Sequence, residues 1–88
     1  MAVSEIKITP MVTKNVSQTG ISIGANDIAT LTLSASDAVY HIIKGFSISA
    51  TTNVTLMQCY FANDTQIQVR CRNLVNATNT FAISVYYC

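Results

Sequence analysis

Apolar and polar side chains alternate in short runs along most of this chain. Thr30-Leu31-Thr32-Leu33-Ser34 and Gln66-Ile67-Gln68-Val69-Arg70 are the clearest. A period of two marks a β-strand with one face buried and one face wet. Strands are predicted on this basis at Val3–Thr9, Met11–Val16, Ile21–Ile23, Ala29–Ser34, Val39–Thr51, Val54–Ala62, Gln66–Arg72 and Thr80–Tyr87, with no helix between them. Pro10 marks an edge or a strand end, because proline cannot donate to a ladder. Gly24-Ala25-Asn26-Asp27 reads as a turn, and Ser36-Asp37 as a turn or a brief helical turn. Gly45, alone inside the longest run, predicts a bulge or a close backbone approach. About seven or eight short strands at this spacing predict an all-β fold, a small antiparallel β-sandwich of jelly-roll type.

One hairpin can be drawn in register. With the turn at Asn63-Asp64, Tyr60 opposes Ile67, Gln58 opposes Val69 and Leu56 opposes Cys71. Opposed residues share a face. Leu56, Tyr60, Ile67, Val69 and Cys71 then form the core side, and Met57, Cys59, Phe61, Gln66, Gln68 and Arg70 the wet side. Met57 and Phe61 are out of place on a wet side; either a neighbouring loop half-covers them or they lie in a subunit interface. Cys59 and Cys71 fall on opposite sides, so no disulfide is expected between them. Cys88, at a free end, is expected to be the most reactive thiol.

Composition changes the picture in one respect. Hydrophobic residues make up 50% of the chain but charged residues only 10%, against about 25% in an ordinary soluble domain. Thr, Ser, Asn and Gln carry the polarity. Neutral groups cost less to desolvate than charges, so such faces suit packing against copies of the chain or lying against sugars. The 88 residues make one domain, 1–88, with a small core. Three cysteines and one histidine supply neither a disulfide framework nor a zinc site. Association into an oligomer is the remaining support. The net charge is +1, with Lys7, Lys14, Lys44, Arg70 and Arg72 scattered. There is no basic stripe of the kind nucleic acid requires, no apolar run near the ~20 residues of a membrane span, and no signal-peptide pattern at the N-terminus. Synthesis in the cytoplasm, without membrane insertion, is the expectation.

Candidate chemistry is sparse. Glu5, Asp27, Asp37 and Asp64 are unpaired in sequence, and three of them sit in predicted turns, where Asp serves the backbone. No phosphate loop, HExxH or GxSxG occurs. No catalytic residue, cofactor or metal is expected, and the chain is not read as an enzyme. His41 reads as a strand residue at the surface. Four Asn-X-Ser/Thr sequons, at Asn15, Asn53, Asn63 and Asn76, follow from an Asn- and Thr-rich composition. Binding is better placed in loops, which vary without disturbing a core. Asn26, Asp27 and Asp37 offer amide and carboxylate groups to sugar hydroxyls, with Tyr40 as a stacking surface. Asn73 can hold a turn at a strand end. Arg72, with Met57 and Phe61, is assigned to a subunit boundary, where a planar guanidinium is well suited.

Three stretches together carry a family resemblance: Asn15-Val-Ser with Ile21-Ser-Ile-Gly-Ala-Asn leading into Ala29-Thr-Leu-Thr-Leu-Ser; Tyr40-His-Ile-Ile-Lys-Gly45-Phe-Ser-Ile-Ser; and Gln66-Ile-Gln-Val-Arg-Cys-Arg72-Asn73-Leu74 with the closing Ile83-Ser-Val-Tyr-Tyr. In this order the chain resembles the C-terminal head domains of tail-tip, baseplate and tail-fibre proteins in phages and prophages of gut Firmicutes. The resemblance implies a homotrimeric β-sandwich in a virion, at the tip of a fibre or baseplate, attaching to a bacterial surface saccharide. Residues 1–12 would then be an N-terminal strand or a linker to a shaft. Two other functions stay open: a purely structural trimerisation or capping domain, and a free-standing carbohydrate-binding module.

Overall fold

The computed structural model describes residues 11–50 and 53–88. Six strands lie among them: β1 (Lys14–Ile23), β2 (Ile28–Ser34), β3 (Ile43–Ala50), β4 (Val54–Asn63), β5 (Gln66–Asn73) and β6 (Asn79–Tyr87). They form two three-stranded antiparallel sheets, ordered β1-β6-β3 and β2-β5-β4. The chain is a small all-β domain, sandwich-like. Every connection crosses between the sheets except the β4–β5 hairpin. The strand predicted at Val3–Thr9 lies outside the described residues.

Alternation decides which side chains enter the core. On β5, Ile67, Val69, Cys71 and Asn73 are buried, while Gln66, Gln68, Arg70 and Arg72 face outward. On β6, Asn79, Phe81, Ile83, Val85 and Tyr87 are buried. These two central strands supply most of the core, and Ile21, Ile23, Leu33 and Ala35 complete it. Each such Val, Ile or Phe contributes about 1.5–3 kcal/mol by leaving water.

Two predicted elements change length. The strands predicted at Met11–Val16 and Ile21–Ile23 merge into one, β1, which begins only at Lys14 and passes through an irregularity between Gln18 and Ile21. Gly20 sits there with φ of 64°, a conformation open to glycine at little cost. The run at Val39–Thr51 begins as a strand only at Ile43, because the preceding residues carry the chain from one sheet to the other. His41 is thus in a loop, with φ of 60°. The bulge predicted near Gly45 is present, with the register shifting between Ile43 and Gly45.

The hairpin corrects the predicted register. Its turn falls one residue later, at Asp64-Thr65, with Asn63 opposite Gln66. Asn63 Oδ1 accepts from the Thr65 N–H at 2.9 Å and from Thr65 Oγ1 at 3.1 Å, and its Nδ2 donates to Gln66 Oε1 at 2.9 Å. Such side-chain-to-backbone bonding stabilises a turn. The register then shifts between Phe61 and Asn63 and again between Leu56 and Gln58. Leu56 opposes Cys71 as predicted, but between the shifts Phe61 opposes Ile67, Tyr60 opposes Gln68 and Cys59 opposes Val69. A one-residue slip exchanges the faces of a strand. Phe61 is therefore half-buried against the core and not on the wet side, while Tyr60 is outside, donating its hydroxyl to Gln68 Oε1 at 2.8 Å. Met57, the extra residue of one shift, stays 44% exposed.

The same slip places Cys59 on the inner face with Cys71, so the expected separation across the sheet does not hold. All three cysteines are free. Cys88 is only 2% exposed, and its N–H and C=O pair with the Ile42 carbonyl and amide at 3.1 and 3.3 Å, so the free end that made it the expected most reactive thiol is covered. Burial pushes the Cys71 thiol up to about 11, with the neighbouring Cys59 adding to the effect, and burial also raises Cys59. The thiolate is the reacting species. Iodoacetamide at about pH 8 is expected to modify Cys59 and Cys71 at least ~10-fold more slowly in the native protein than in urea, read by mass spectrometry of peptides. Denatured, unreduced protein should titrate as three thiols; a single thiol would mean a disulfide.

Candidate functional site

The topology sorts the loops into two ends. The Gly24–Asp27 turn and the residues from Asn73 to Asn79 meet at one end. The Ser36-Asp37 turn, His41, the hairpin turn and Cys88 gather at the other. Of the predicted binding residues, Asn26 and Asp27 belong to the first end, and Asp37 and Tyr40 to the second. The four do not make one site.

The first end is built around Asn73. This side chain is fully buried at the end of β5. Its Nδ2 donates to the carbonyls of Gly24 at 3.0 Å and Ala77 at 2.8 Å, and its Oδ1 accepts from the Val75 N–H at 3.1 Å. One amide thus closes its own loop and ties that loop to the β1–β2 turn, the turn-holding role expected of Asn73. Backbone bonds reinforce the tie, from Asn26 N–H to Val75 O at 3.0 Å and from Asn73 N–H to Asp27 O at 2.9 Å. Asn26 adopts φ of 55°, which Asn tolerates better than most residues. Its Nδ2 donates to Asn76 Oδ1 at 3.1 Å, and both side chains are exposed. Asp27 Oδ1 accepts from the Ile28 N–H at 2.8 Å and opens β2. Beside these loops Asn79, paired with Ile23, is buried. Its Oδ1 accepts from the Thr80 N–H, while its Nδ2 is the one buried side-chain polar atom without a partner among the described residues.

The second end is a chain of side chains. Tyr87 donates its hydroxyl to Asp37 Oδ1 at 2.5 Å, and Lys14 donates to the Asp37 carbonyl and lies 3.7 Å from Asp37 Oδ2. Phe61 packs edge-on against Tyr87, with ring centroids 6.1 Å apart, and against His41 at 5.3 Å. His41 Nε2 lies 3.0 Å from the Asp64 carbonyl. A carbonyl only accepts, so Nε2 carries the proton. The Tyr87 hydrogen bond, with help from Lys14, holds Asp37 below its ordinary 3.8. Burial, and then Asp37 itself, pushes the Tyr87 phenol up to about 12. Carboxylate and phenol are each locked in their neutral-pH states, an arrangement for joining β1, the β2–β3 loop and β6. The Asp37–Tyr87 contact has no sequence signal, because 50 residues separate its partners. The Phe61 stack was hidden by the two register shifts.

Among the described residues no group of three or more His, Cys, Asp or Glu is placed to hold a metal ion. What the first end offers is hydrogen-bonding capacity on a rigid frame, with amide and carboxylate groups at Asn26, Asn76 and Asp27.

Replacing Asn73 by Ala removes three side-chain hydrogen bonds, those to the Gly24 and Ala77 carbonyls and from the Val75 N–H, and empties a fully buried polar position. Urea denaturation should report a loss of about 2–4 kcal/mol. The pH profile of stability is expected to fall at both extremes. The Asp37 contribution is present above 3.8 and is lost as pH drops through its lowered value. The raised groups act in the opposite sense: Cys71 withdraws stability between 9.0 and about 11, and Tyr87 between 10.0 and about 12. Thermal melts of Tyr87→Phe should therefore show a shallower decline above pH 10 and a weaker acid limb than wild type.

Compared with protein-family models, curated proteins and solved structures, the chain matches none, so its function is argued from this geometry.

Proposed function

We propose that this domain is a virion attachment head, a homotrimer at a phage tail tip or baseplate that binds a bacterial surface saccharide through its Asn-rich end. The observation that carries the reading is the Asn73 clip. It fixes two loops in one conformation while leaving Asn26 and Asn76 exposed. Preformed loops lose less entropy on binding, which matters for a shallow, weak site. Three copies on one fibre would multiply that weak affinity by avidity.

The strand order also supports it. β1 pairs with β6 and β2 with β5, with β3 and β4 at the opposite edges. Such nesting follows when an antiparallel ribbon rolls up, as in the jelly rolls common to viral capsids and lectins. That likeness is one of fold alone.

The subunit contact is assigned to the side of the sandwich bounded by the edge strands β3 and β4. Phe46 shares the core-facing register of Val85 yet is 48% exposed, and Ile42 and Met57 are exposed on neighbouring segments. Unpaired edges beside apolar side chains favour association. Met57 keeps its interface role. Phe61 is turned inward, and Arg72 stands in mid-sheet, away from this side. The same apolar side equally supports the second reading, a trimerisation or capping domain without a ligand.

Light scattering at micromolar concentration should give a mass of three chains. Phe46→Asp should reduce it to one chain while leaving the circular-dichroism spectrum intact, since the ring is exposed in the protomer. A monomeric wild type removes the trimer. On a glycan array, Asn26→Ala combined with Asn76→Ala should lower retention about tenfold, with melting temperature changed by only a degree or two. A trimer that retains no glycan establishes the capping role, and a monomer that does retain one is a free-standing binding module.

A further inference from the structure

The two outer faces of the sandwich differ in charge. On the sheet β1-β6-β3, Ser17, Ser84 and Ser47 form a row across the three strands, with Asn15 and Tyr86 in the adjoining row, all uncharged. On the sheet β2-β5-β4, Arg70 and Arg72 stand side by side on the central strand, roughly 6.5–7 Å apart along it. Neither guanidinium has a hydrogen-bond or ion-pair partner among the described residues. Among the described residues no carboxylate lies on a strand of this face: Asp27, Asp37 and Asp64 are all in turns at the two ends.

We propose that this outer face binds a carboxylate-bearing polysaccharide, with Arg70 and Arg72 each gripping one carboxylate. The surroundings match such a ligand. Arg70 is half-buried between Thr30 and Gln58, so its stem is laid along the sheet, and Arg72 is flanked by Ile28 and Thr55. A guanidinium fork pairs two N–H groups with a planar carboxylate. One cation at each position balances a group of one negative charge. The hydroxyls and amides alongside answer sugar hydroxyls. One rung away, Tyr60 is exposed and its ring is held by the bond to Gln68, giving a flat apolar surface for a sugar ring. Single-stranded nucleic acid fits less well, since it calls for successive aromatic platforms along a cationic groove. Arg72 adjoins the Asn-rich end, next to Asn73 and opposite Ile28, but the proposed contacts do not use the Asn26 or Asn76 side chains.

The test measures binding of the intact protein to immobilised polygalacturonate, neutral dextran, dextran sulfate and an oligothymidylate. Polygalacturonate should be retained, with affinity falling as salt rises, and neutral dextran should not. Arg70→Gln with Arg72→Gln should cut polygalacturonate binding at least ~10-fold without altering the melting curve, both side chains being on the surface. Lys44→Gln, which removes one charge elsewhere, should change it less than about twofold. Asn26→Ala with Asn76→Ala should leave it unchanged, which separates this face from the loop site. The proposal is overturned if wild type ignores polygalacturonate, if the double arginine variant binds normally, or if Lys44→Gln costs as much. Tighter binding of dextran sulfate or of the oligothymidylate overturns it as well.

Discussion

Among the described residues each sheet has three strands, so each has one strand flanked on both sides. That constraint organises the molecule. β5 and β6 are the two strands that can be buried along their length, and they bring Ile67, Val69 and Cys71 against Phe81, Ile83, Val85 and Tyr87. Every other strand is an edge, and its inward residues are covered on one side only. Val16, Leu31, Ile48 and Leu56 are half-buried for this reason, though they point the same way as the core. The apolar character of the β3 and β4 side is the same geometry seen from outside.

A core this thin cannot hold its own ends. The alternating pattern runs out at β5 and β6, and polar side chains take over. At one end Asn73 occupies an inward position where an aliphatic residue would leave the Ala77 carbonyl and the Val75 N–H without this partner and would untie the Gly24 turn. At the other, Tyr87 continues the inward row and delivers its hydroxyl to Asp37. Both devices sit on the central strands, the parts of the sandwich least able to move. They act on opposite loop sets, which is why the candidate binding residues divide between two ends.

Function follows from what the fold leaves outside. Inward positions are set by packing, but outward positions on β5 and β6 are free of it. β6 spends them on the uncharged Thr80, Ala82, Ser84 and Tyr86, and β5 on Gln66, Gln68, Arg70 and Arg72. Neutral, hydroxyl-rich surface is inexpensive to desolvate, whereas isolated guanidinium groups favour a partner with negative charge. The two faces are therefore suited to different contacts, although the strands behind them share one core.

The all-β class, the turns at Gly24–Asp27 and Ser36-Asp37, the bulge near Gly45, the alternation of β2 and the inward Ile67, Val69 and Cys71 of β5 were legible in the sequence. They depend on local chemistry: a period of two, glycine at an irregular backbone, and Asn or Asp in turns. The pairing of Leu56 with Cys71 was legible too. What only the tertiary structure decided was the face of Tyr60, Phe61 and Cys59, because two register shifts in β4 exchange inside for outside and no residue pattern announces them. It also decided that β1 is one strand, that Cys88 is covered, and that Asp37 meets Tyr87 across 50 residues. The physical reason is common to all of these. Alternation says that a strand has two faces, but which face is buried is settled by the neighbouring strand and by the sheet packed against it.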